Sequence, residues 1–313
     1  MKVALDLRVL DDPATAERGI GRYASELAAA LAGAGVEVVD RRRRREADVL
    51  HSPSIDHDKL RPGAPYVVTL HDLVPIKHPD RYLRTGLKHR LRYAAVKRAT
   101  RVIVPSEAVA DDARRMLGVT RIDVVPEAPA PAFGPVTAPR GLLTRLRLPD
   151  RFLLWVGGLD PPDPRKGIEG LARRVAEGDG APLVLAGRCD AAAEALAVDG
   201  RVILSGRVVD EELAALYSAA EALVLPSEEE GFGLTPHEAL ACGTSVAAFA
   251  IPALTETLSD NPGVRLVPPG DLDALLAAAA EMAGYEATAP ARTWDDVARE
   301  TVAVYERAVA AHL

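Results

Sequence analysis

Short apolar, β-branched runs alternate with longer helix-forming stretches along the whole chain, a pattern that predicts parallel sheets with helical crossovers. In the first half the predicted strands are Val3–Leu7, Val36–Val39, Asp48–Leu50, Tyr66–Leu70, Arg101–Val104 and Ile122–Val125. In the second they are Phe152–Val156, Leu183–Ala186, Val202–Leu204, Ala222–Leu225, Ser245–Phe249 and Val264–Val267. Each half therefore reads as one complete doubly wound α/β unit. Between them runs Pro126-Glu-Ala-Pro-Ala-Pro-Ala-Phe-Gly-Pro135, whose four prolines argue against a helix or a central strand and mark a linker. Residues 294–313 read as a helix with Thr293 at its N-cap and Asp295 and Asp296 in its first turn.

The predicted organisation is thus an amino-terminal domain over residues 1–135, a carboxy-terminal domain over 136–293, and a terminal helix over 294–313. That helix has no partner strand of its own, and packing back on the amino-terminal domain would bury its apolar face. A length of 313 residues suits two such domains, each with enough apolar material for a core.

Charge divides the same way. Residues 1–135 carry 23 basic and 18 acidic side chains, residues 136–313 carry 15 and 27, and the whole chain is at −7. An acidic total argues against a general nucleic-acid binder. Part of the basic surplus lies in residues 81–98, where Leu83, Leu87, Leu91 and Ala94 mark one helical face and Arg81, Arg84, Lys88, Arg90, Arg92, Lys97 and Arg98 crowd the rest. Such a helix can lie on anionic lipid, grip a phosphorylated acceptor, or simply pack its leucines on the sheet with its charges in water. The Arg41–Arg45 run reads as a solvated loop.

Two cysteines, Cys189 and Cys242, are too few for a disulfide framework and lack metal-site spacing. No run approaches the roughly 18 apolar residues of a membrane span, and the first apolar segment is too short for a signal-peptide core. These features predict a cytoplasmic protein, with the inner face of the membrane as an alternative location.

The richest segment chemically is Pro226-Ser-Glu-Glu-Glu-Gly-Phe-Gly-Leu-Thr-Pro-His-Glu-Ala-Leu-Ala-Cys-Gly243. A strand ends at Leu225, Gly231 and Gly233 allow close backbone approach, and a helix is predicted from near Pro236. Glu230, the amides of Phe232 to Leu234, and Glu238 then gather at the carboxyl end of a parallel sheet, where open α/β folds bind ligands. Amides and a helix start take an anion and carboxylates accept from hydroxyls, which suits a polyhydroxylated, phosphorylated ligand. Plainer readings stand beside this one. Thr235 and Glu238 have capping-box spacing, and Glu228–Glu230 could be a solvated acidic run ahead of a helix.

With these residues in place, the chain resembles the family 4 retaining nucleotide-sugar glycosyltransferases, which have the GT-B fold: two Rossmann-like doubly wound parallel-sheet domains facing a cleft. The resemblance rests on Glu230-Gly-Phe-Gly-Leu-Thr-Pro-His-Glu238, the Glu-x7-Glu signature, and on the following Ala239-Leu-Ala-Cys-Gly-Thr-Ser-Val246. It extends through Gly19-Ile-Gly-Arg-Tyr23, Val68-Thr-Leu-His-Asp-Leu73, Val104-Pro-Ser106, Val156-Gly-Gly-Leu159, Pro164-Arg-Lys166, Leu183-Val-Leu-Ala-Gly187 and Ser205-Gly-Arg-Val208, in family order over nearly the whole chain.

The resemblance implies that Glu238 holds the ribose hydroxyls of the donor, that Glu230 contacts the donor sugar beside the reacting carbon, and that the amides of Phe232, Gly233 and Leu234, with Thr235, contact sugar and phosphates. Arg165 and Lys166 would clamp the diphosphate, backbone near Arg188 and Val208 would read the base, and His71 would position the donor or take part in catalysis. A domain basic in sign would hold the acceptor, a sugar, a lipid-linked sugar or a small molecule.

Elementary electrostatics supports the role of the Arg165-Lys166 pair. It precedes a helix predicted from about Ile168, where two cations are unfavourable unless an anion lies nearby. A diphosphate supplies that anion, and its developing charge would be stabilised without a metal. No metal or other cofactor is expected. His71 has an ordinary pKa near neutrality and could serve as a base. In retaining enzymes of the family, however, the departing phosphate can take the acceptor proton.

Gly19-Ile-Gly-Arg-Tyr-Ala24 also fits the dinucleotide pattern G-x-G-x-x-[G/A], with Asp40 at the end of the next strand. A dinucleotide turn should follow its strand directly, and residues 8–18 intervene, so Gly19 and Gly21 fit better as flexible backbone over the donor phosphate or acceptor. A nicotinamide-dependent oxidoreductase, a non-catalytic glycosyltransferase-like subunit and a sugar-nucleotide epimerase of the same fold remain the alternatives. Three positions depart from the family pattern: Gly167 stands where Asn is common, Ser245 where Pro is common, and Pro126-Glu-Ala where Pro-Asn-Gly is usual. His237 either reaches the ligand or lies on the surface.

The expected reaction is transfer of a hexose-type sugar from a UDP- or GDP-sugar to an acceptor hydroxyl, in polysaccharide, glycolipid or natural-product glycan synthesis.

Overall fold

The computed structural model describes residues 1–11, 13–16, 19–55, 65–79, 93, 96–137 and 140–312. The chain divides into two compact units, Met1–Ala128 with Arg292–Leu313, and Pro129–Ala291. The break falls between Ala128 and Pro129, ahead of the expected end of the linker, and the terminal segment counts with the first unit from Arg292 onward.

In the first unit, six strands form one sheet: β1 (Lys2–Leu5), β2 (Glu37–Asp40), β3 (Val49–Ser52), β4 (Tyr66–Thr69), β5 (Arg101–Val104) and β6 (Ile122–Val124). Their order is β2-β1-β3-β4-β5-β6 and every pairing is parallel. In the second unit, β7 (Leu153–Val156), β8 (Leu183–Ala186), β9 (Val202–Gly206), β10 (Ala222–Leu225), β11 (Val246–Phe249) and β12 (Val264–Val267) are ordered β12-β11-β10-β7-β8-β9, again all parallel. These are the twelve predicted strands, with ends moved by at most two residues. The reason is burial: β4, β8, β10 and β11 are buried at every position, so β8, β10 and β11 are unbroken apolar runs rather than alternations, and β4 departs from one only in its terminal Thr69. Each Leu or Val sealed in this way contributes about 1.5–3 kcal/mol relative to exposure.

Strand order reverses direction between β1 and β3 in the first sheet and between β7 and β10 in the second. At such a point, successive crossovers leave to opposite faces and open a crevice beyond the carboxyl ends of the strands.

The terminal helix, Trp294–Ala310, opens with a full capping box: Thr293 accepts from the Asp296 amide and Asp296 accepts from the Thr293 amide. Trp294, Val297, Ala298, Thr301, Val304, Tyr305 and Ala308 form its buried face. They pack with Tyr23, Leu27 and Leu31 of the Gly19–Gly33 helix in the core of the first unit. Arg307 bonds Asp123 at 2.9 Å, and the Arg292 guanidinium donates to the Pro126 carbonyl at 2.9 Å.

Several sequence expectations change. Gly19 and Gly21 are not a loop: they begin the Gly19–Gly33 helix, and a Cβ at Gly21 would stand 2.2 Å from the Ala16 carbonyl oxygen. Close packing of that turn accounts for the glycine. Arg41–Glu46 forms a short 3-10 turn after β2. Of the predicted basic helix 81–98, residues 81–92 and 94–95 lie outside the described residues, while Tyr93 and Val96 are buried. Among the described residues no helix is long and apolar enough to cross a membrane.

Candidate functional site

The loops that follow β7 and β10 meet at the reversal point of the second sheet. After β7 the chain makes a 3-10 turn, Pro164–Lys166, capped by Asp163, and then enters the Ile168–Glu177 helix through Gly167. Beyond β10 it reaches the Leu234–Ala241 helix through Gly233. That helix starts at Leu234, two residues before the expected Pro236. Both glycines have positive φ, 63° and 89°, and neither helix has a side-chain N-cap. A Cβ on Gly167 would stand 2.4 Å from the Pro226 carbonyl oxygen, so the two loops touch through backbone. Two helix starts without side-chain caps thereby present amide donors at one edge of the sheet.

Lys166 Nζ donates to Glu230 Oε1 at 2.5 Å across these loops. Arg165 is held by Asp163, with Nε 2.7 Å from its carboxylate, and the Arg165 carbonyl accepts from the Glu228 amide. Burial would raise the pKa of Glu230, but the charges of Lys166 and Arg165, the Lys166 hydrogen bond and the Ser227 hydroxyl outweigh it and hold the carboxyl below its ordinary value. Glu230 is an anion paired with Lys166 in the field of Arg165, not part of a solvated run, although its neighbour Glu228 is exposed. A cavity of about 290 Å³ lies beside these loops, with Pro164, Gly167, Ile168, Pro226, Glu228 and Phe249 in its walls; Arg165, Lys166 and Glu230 do not line it.

Glu238 sits one turn into the second helix, almost wholly buried, and accepts from the Tyr217 hydroxyl at 3.0 Å. The capping-box reading of Thr235 and Glu238 is corrected, because the N-cap is Gly233 and Thr235 lies inside the helix. Phe232 is buried and stacks on His237, whose Nδ1 lies 2.7 Å from the Gly233 carbonyl. His237 is buried, so the surface alternative fails. Arg188, after β8, is 3.2 Å from Asp160 and more than half exposed. Val208, after β9, packs partly against the core. Both lie at the carboxyl edge of the same sheet.

His71, Gly19 and Gly21 belong to the first unit. His71 follows β4, and its two ring nitrogens lie 3.1 Å from Glu127 Oε1 and 2.9 Å from the Pro53 carbonyl. Tyr23 packs edge-on against it, with centroids 4.7 Å apart. Burial would lower the His71 pKa, yet the hydrogen bond and charge of Glu127, the Pro53 carbonyl and the charge of Asp72 raise it above the ordinary histidine value.

Sequence reasoning missed Glu127, Asp163 and Tyr217. Glu127 did carry a signal, as the centre of the Pro126-Glu-Ala departure; the other two are ordinary residues in helix and turn contexts.

Residues 38–128 match the family model described as Glycosyltransferase Family 4, and residues 150–284 match the one described as Glycosyl transferases group 1. A 2-deoxystreptamine N-acetyl-D-glucosaminyltransferase of Streptomyces fradiae is 32% identical over 241 residues, 70% of this chain and 56% of that protein. A D-inositol 3-phosphate glycosyltransferase of Mycobacterium avium is 30% identical over 286 residues, 79% of this chain and 65% of its own. The chain therefore spans somewhat less than two thirds of the length of these relatives. Among solved structures, sucrose-phosphate synthase from Thermosynechococcus elongatus matches with a TM-score of 0.72 at 23% identity, covering 99% of this chain and 94% of that one. Anabaena HepE, solved with UDP and glucose, matches at 0.68 and 17% identity over 98% and 95%. At these identities the structural likeness establishes the fold alone, GT-B. Each of the two units is thus matched by one glycosyltransferase family model.

Proposed function

We propose that the protein is a retaining glycosyltransferase that moves a hexose-type sugar from a UDP- or GDP-sugar to an acceptor hydroxyl without a metal ion. The observation that carries this reading is the Lys166–Glu230 pair, flanked by Arg165, at the β7/β10 reversal point. In this reading Arg165 and Lys166 take the diphosphate, the amides of Phe232, Gly233 and Leu234 with Thr235 hold phosphate and sugar, and Glu230 orients the sugar at its reacting carbon. Glu238 accepts from the ribose, backbone beside Arg188 and Val208 meets the base, and the first unit holds the acceptor.

The chemistry follows from charge. As the bond from anomeric carbon to phosphate oxygen breaks, negative charge grows on the diphosphate and is met by two fixed cations and two helix starts. The acceptor oxygen bonds the same carbon on the face that the phosphate leaves. Its proton passes to the departing phosphate oxygen, so configuration is retained and no protein base is consumed.

HepE was solved with UDP, which supports a uridine donor as the first to test. The names of the two relatives, one acting on 2-deoxystreptamine and the other on D-inositol 3-phosphate, support a small polyhydroxylated carbocycle as the first acceptor. A thermal-shift panel of UDP-, GDP- and ADP-sugars should show stabilisation by one of them, since a ligand of the native state raises apparent stability. The responding donor is then assayed with cyclitol acceptors in chelator, with the anomeric configuration of the product read by NMR. Absence of any shift, or turnover that stops in chelator and returns with Mg²⁺, would count against this reading.

A further inference from the structure

His71 and Glu127 lie at the carboxyl ends of β4 and β6, and the carbonyl between them and β3 belongs to Pro53. A carbonyl oxygen only accepts, so Nε2 of His71 donates to Pro53. An ionised carboxylate also only accepts, so Nδ1 donates to Glu127. A ring that donates from both nitrogens is an imidazolium. We infer that Glu127 is a positioning residue that fixes His71 as a doubly donating cation with both N–H groups already engaged, which removes it as a general base and leaves it as a fixed positive charge.

The surroundings agree. Glu127 is 4% exposed, so its charge requires a partner, and His71 is the partner in reach. The groups that face His71 are Glu127 after β6, Asp72 beside it in the chain, Tyr23 edge-on from the Gly19–Gly33 helix, and His51 on β3. Two of these are carboxylates, Tyr23 is neutral, and His51 is held neutral by burial, so the balance around the ring favours its positive form. Glu127 is itself fixed from outside: Arg292 donates to the carbonyl of the preceding Pro126 and pairs with Glu300 of the terminal helix. Trp294 packs on Tyr23 with centroids 5.7 Å apart, and Tyr23 packs on His71. The start of the terminal helix thus braces both members of the pair.

What the imidazolium does to a sugar donor rests on the transferase reading; its protonation does not. Glu127→Gln is the informative variant, because a glutamine amide can donate to Nδ1 while Nε2 still donates to Pro53, so a neutral ring fits the same place. Nitrogen-15 NMR of the histidine rings in the full chain, assigned with His71→Gln, reports the charge directly. The expected result is a His71 protonated on both nitrogens at neutral pH, with a midpoint that falls by about one pH unit or more in Glu127→Gln. A neutral His71 in the unsubstituted protein at neutral pH would overturn the inference without any variant having to fold.

The second readout is the pH profile of kcat/KM with the donor that responds in the thermal-shift panel. Its basic limb should move to lower pH in Glu127→Gln by the amount the NMR midpoint moves; a limb that stays in place while the midpoint shifts would overturn the role given to the charge. If no nucleotide sugar is turned over at all, the transferase reading fails, while the ring nitrogens still decide whether the pair is ionic.

Discussion

Tyr305 of the terminal helix and His51 of β3, 254 residues apart in the chain, share a 2.7 Å hydrogen bond in the interior of the first unit. The other nitrogen of His51 lies 2.9 Å from Thr69 Oγ1, and Thr69 Oγ1 lies 3.0 Å from the Tyr23 hydroxyl. A buried chain of four polar groups therefore runs from the last helix through two central strands to the Gly19–Gly33 helix. One neutral tautomer of His51 satisfies both of its partners, so the chain is complete. Tyr305→Phe would remove one end and strand a ring nitrogen away from water, at a cost of about 1–3 kcal/mol. Urea unfolding should show a lower midpoint with an unchanged slope; an unmoved midpoint would mean that the terminal helix is held by its apolar face alone.

His51 also sets a pH dependence. Burial, with a smaller contribution from the charge of His71, pushes its pKa down to about 3. In the unfolded chain it would protonate near the ordinary 6.5. Between those values the unfolded state binds a proton that the folded state refuses, so this group's contribution to stability is complete above 6.5 and is lost as pH falls toward 3, with a slope of up to about 1.4 kcal/mol per pH unit. His71 works in the opposite sense: its folded pKa is raised, so its contribution is present in acid and is lost as pH rises through the folded value. His51→Gln should flatten the fall in urea stability between about pH 6.5 and 5. An equal fall in both proteins would show that His51 is not the group refusing the proton.

The fold was legible because it is made of buried parallel strands. Leu183–Ala186 and Ala222–Leu225 have no polar positions to blur their limits, and Thr293 with Asp296 declares a helix start by local chemistry alone. Glu230 and the Arg165-Lys166 pair stood out as candidates because charge at glycine-bounded strand ends has few structural uses. Glu127, His51 and Tyr305 did not, since each is explained by a partner far away in sequence, and no local pattern separates a buried glutamate with a histidine partner from a solvated one. Gly19 and Gly21 misled for a related reason. Two glycines read as a loop, whereas Gly21 in fact answers to the Ala16 carbonyl packed over the first turn of a helix.

Lys166 and Glu230 should behave as a coupled pair. Lys166→Met would leave a largely buried carboxylate without its nearest cation, so the Glu230 pKa would climb and one of the two cations proposed to take the diphosphate would be lost. Expected losses in kcat/KM are about 10²–10³-fold for Lys166→Met, the range seen when one electrostatic donor is removed from a reacting centre. Glu230→Ala should abolish most turnover, and the double variant should lose less than the product of the two single losses, because each single change already breaks the pair. Turnover left intact in Glu230→Ala would remove Glu230 from the site.

Gly167→Ala tests the backbone contact between the two loops. Its φ of 63° is unfavourable for alanine by about 1–2 kcal/mol, and the new methyl would stand 2.4 Å from the Pro226 carbonyl oxygen. The loop after β7 would have to withdraw from the loop after β10, carrying Lys166 away from Glu230. Donor affinity should fall more than global stability, because the strain is local to the loops; a variant that binds donor normally while unfolding early would place Gly167 in the framework and not in the site.

Tyr217 offers a milder probe of Glu238. The carboxylate is almost sealed, and the 3.0 Å bond from the Tyr217 hydroxyl fixes one of its oxygens while the other is left to other partners. Tyr217 is itself wholly buried and packs edge-on against Phe133, so Tyr217→Phe keeps the ring in place and deletes only the donor. Without it Glu238 loses one of the bonds that set its angle, and in the proposed role a carboxylate that meets two vicinal ribose hydroxyls would hold them less well. The expected effect is a rise in donor KM of about tenfold with kcat within about twofold, since a ribose contact is made equally in the ground state and the transition state. Equal falls in kcat and kcat/KM would instead assign Glu238 to the reacting sugar and exchange its role with that of Glu230.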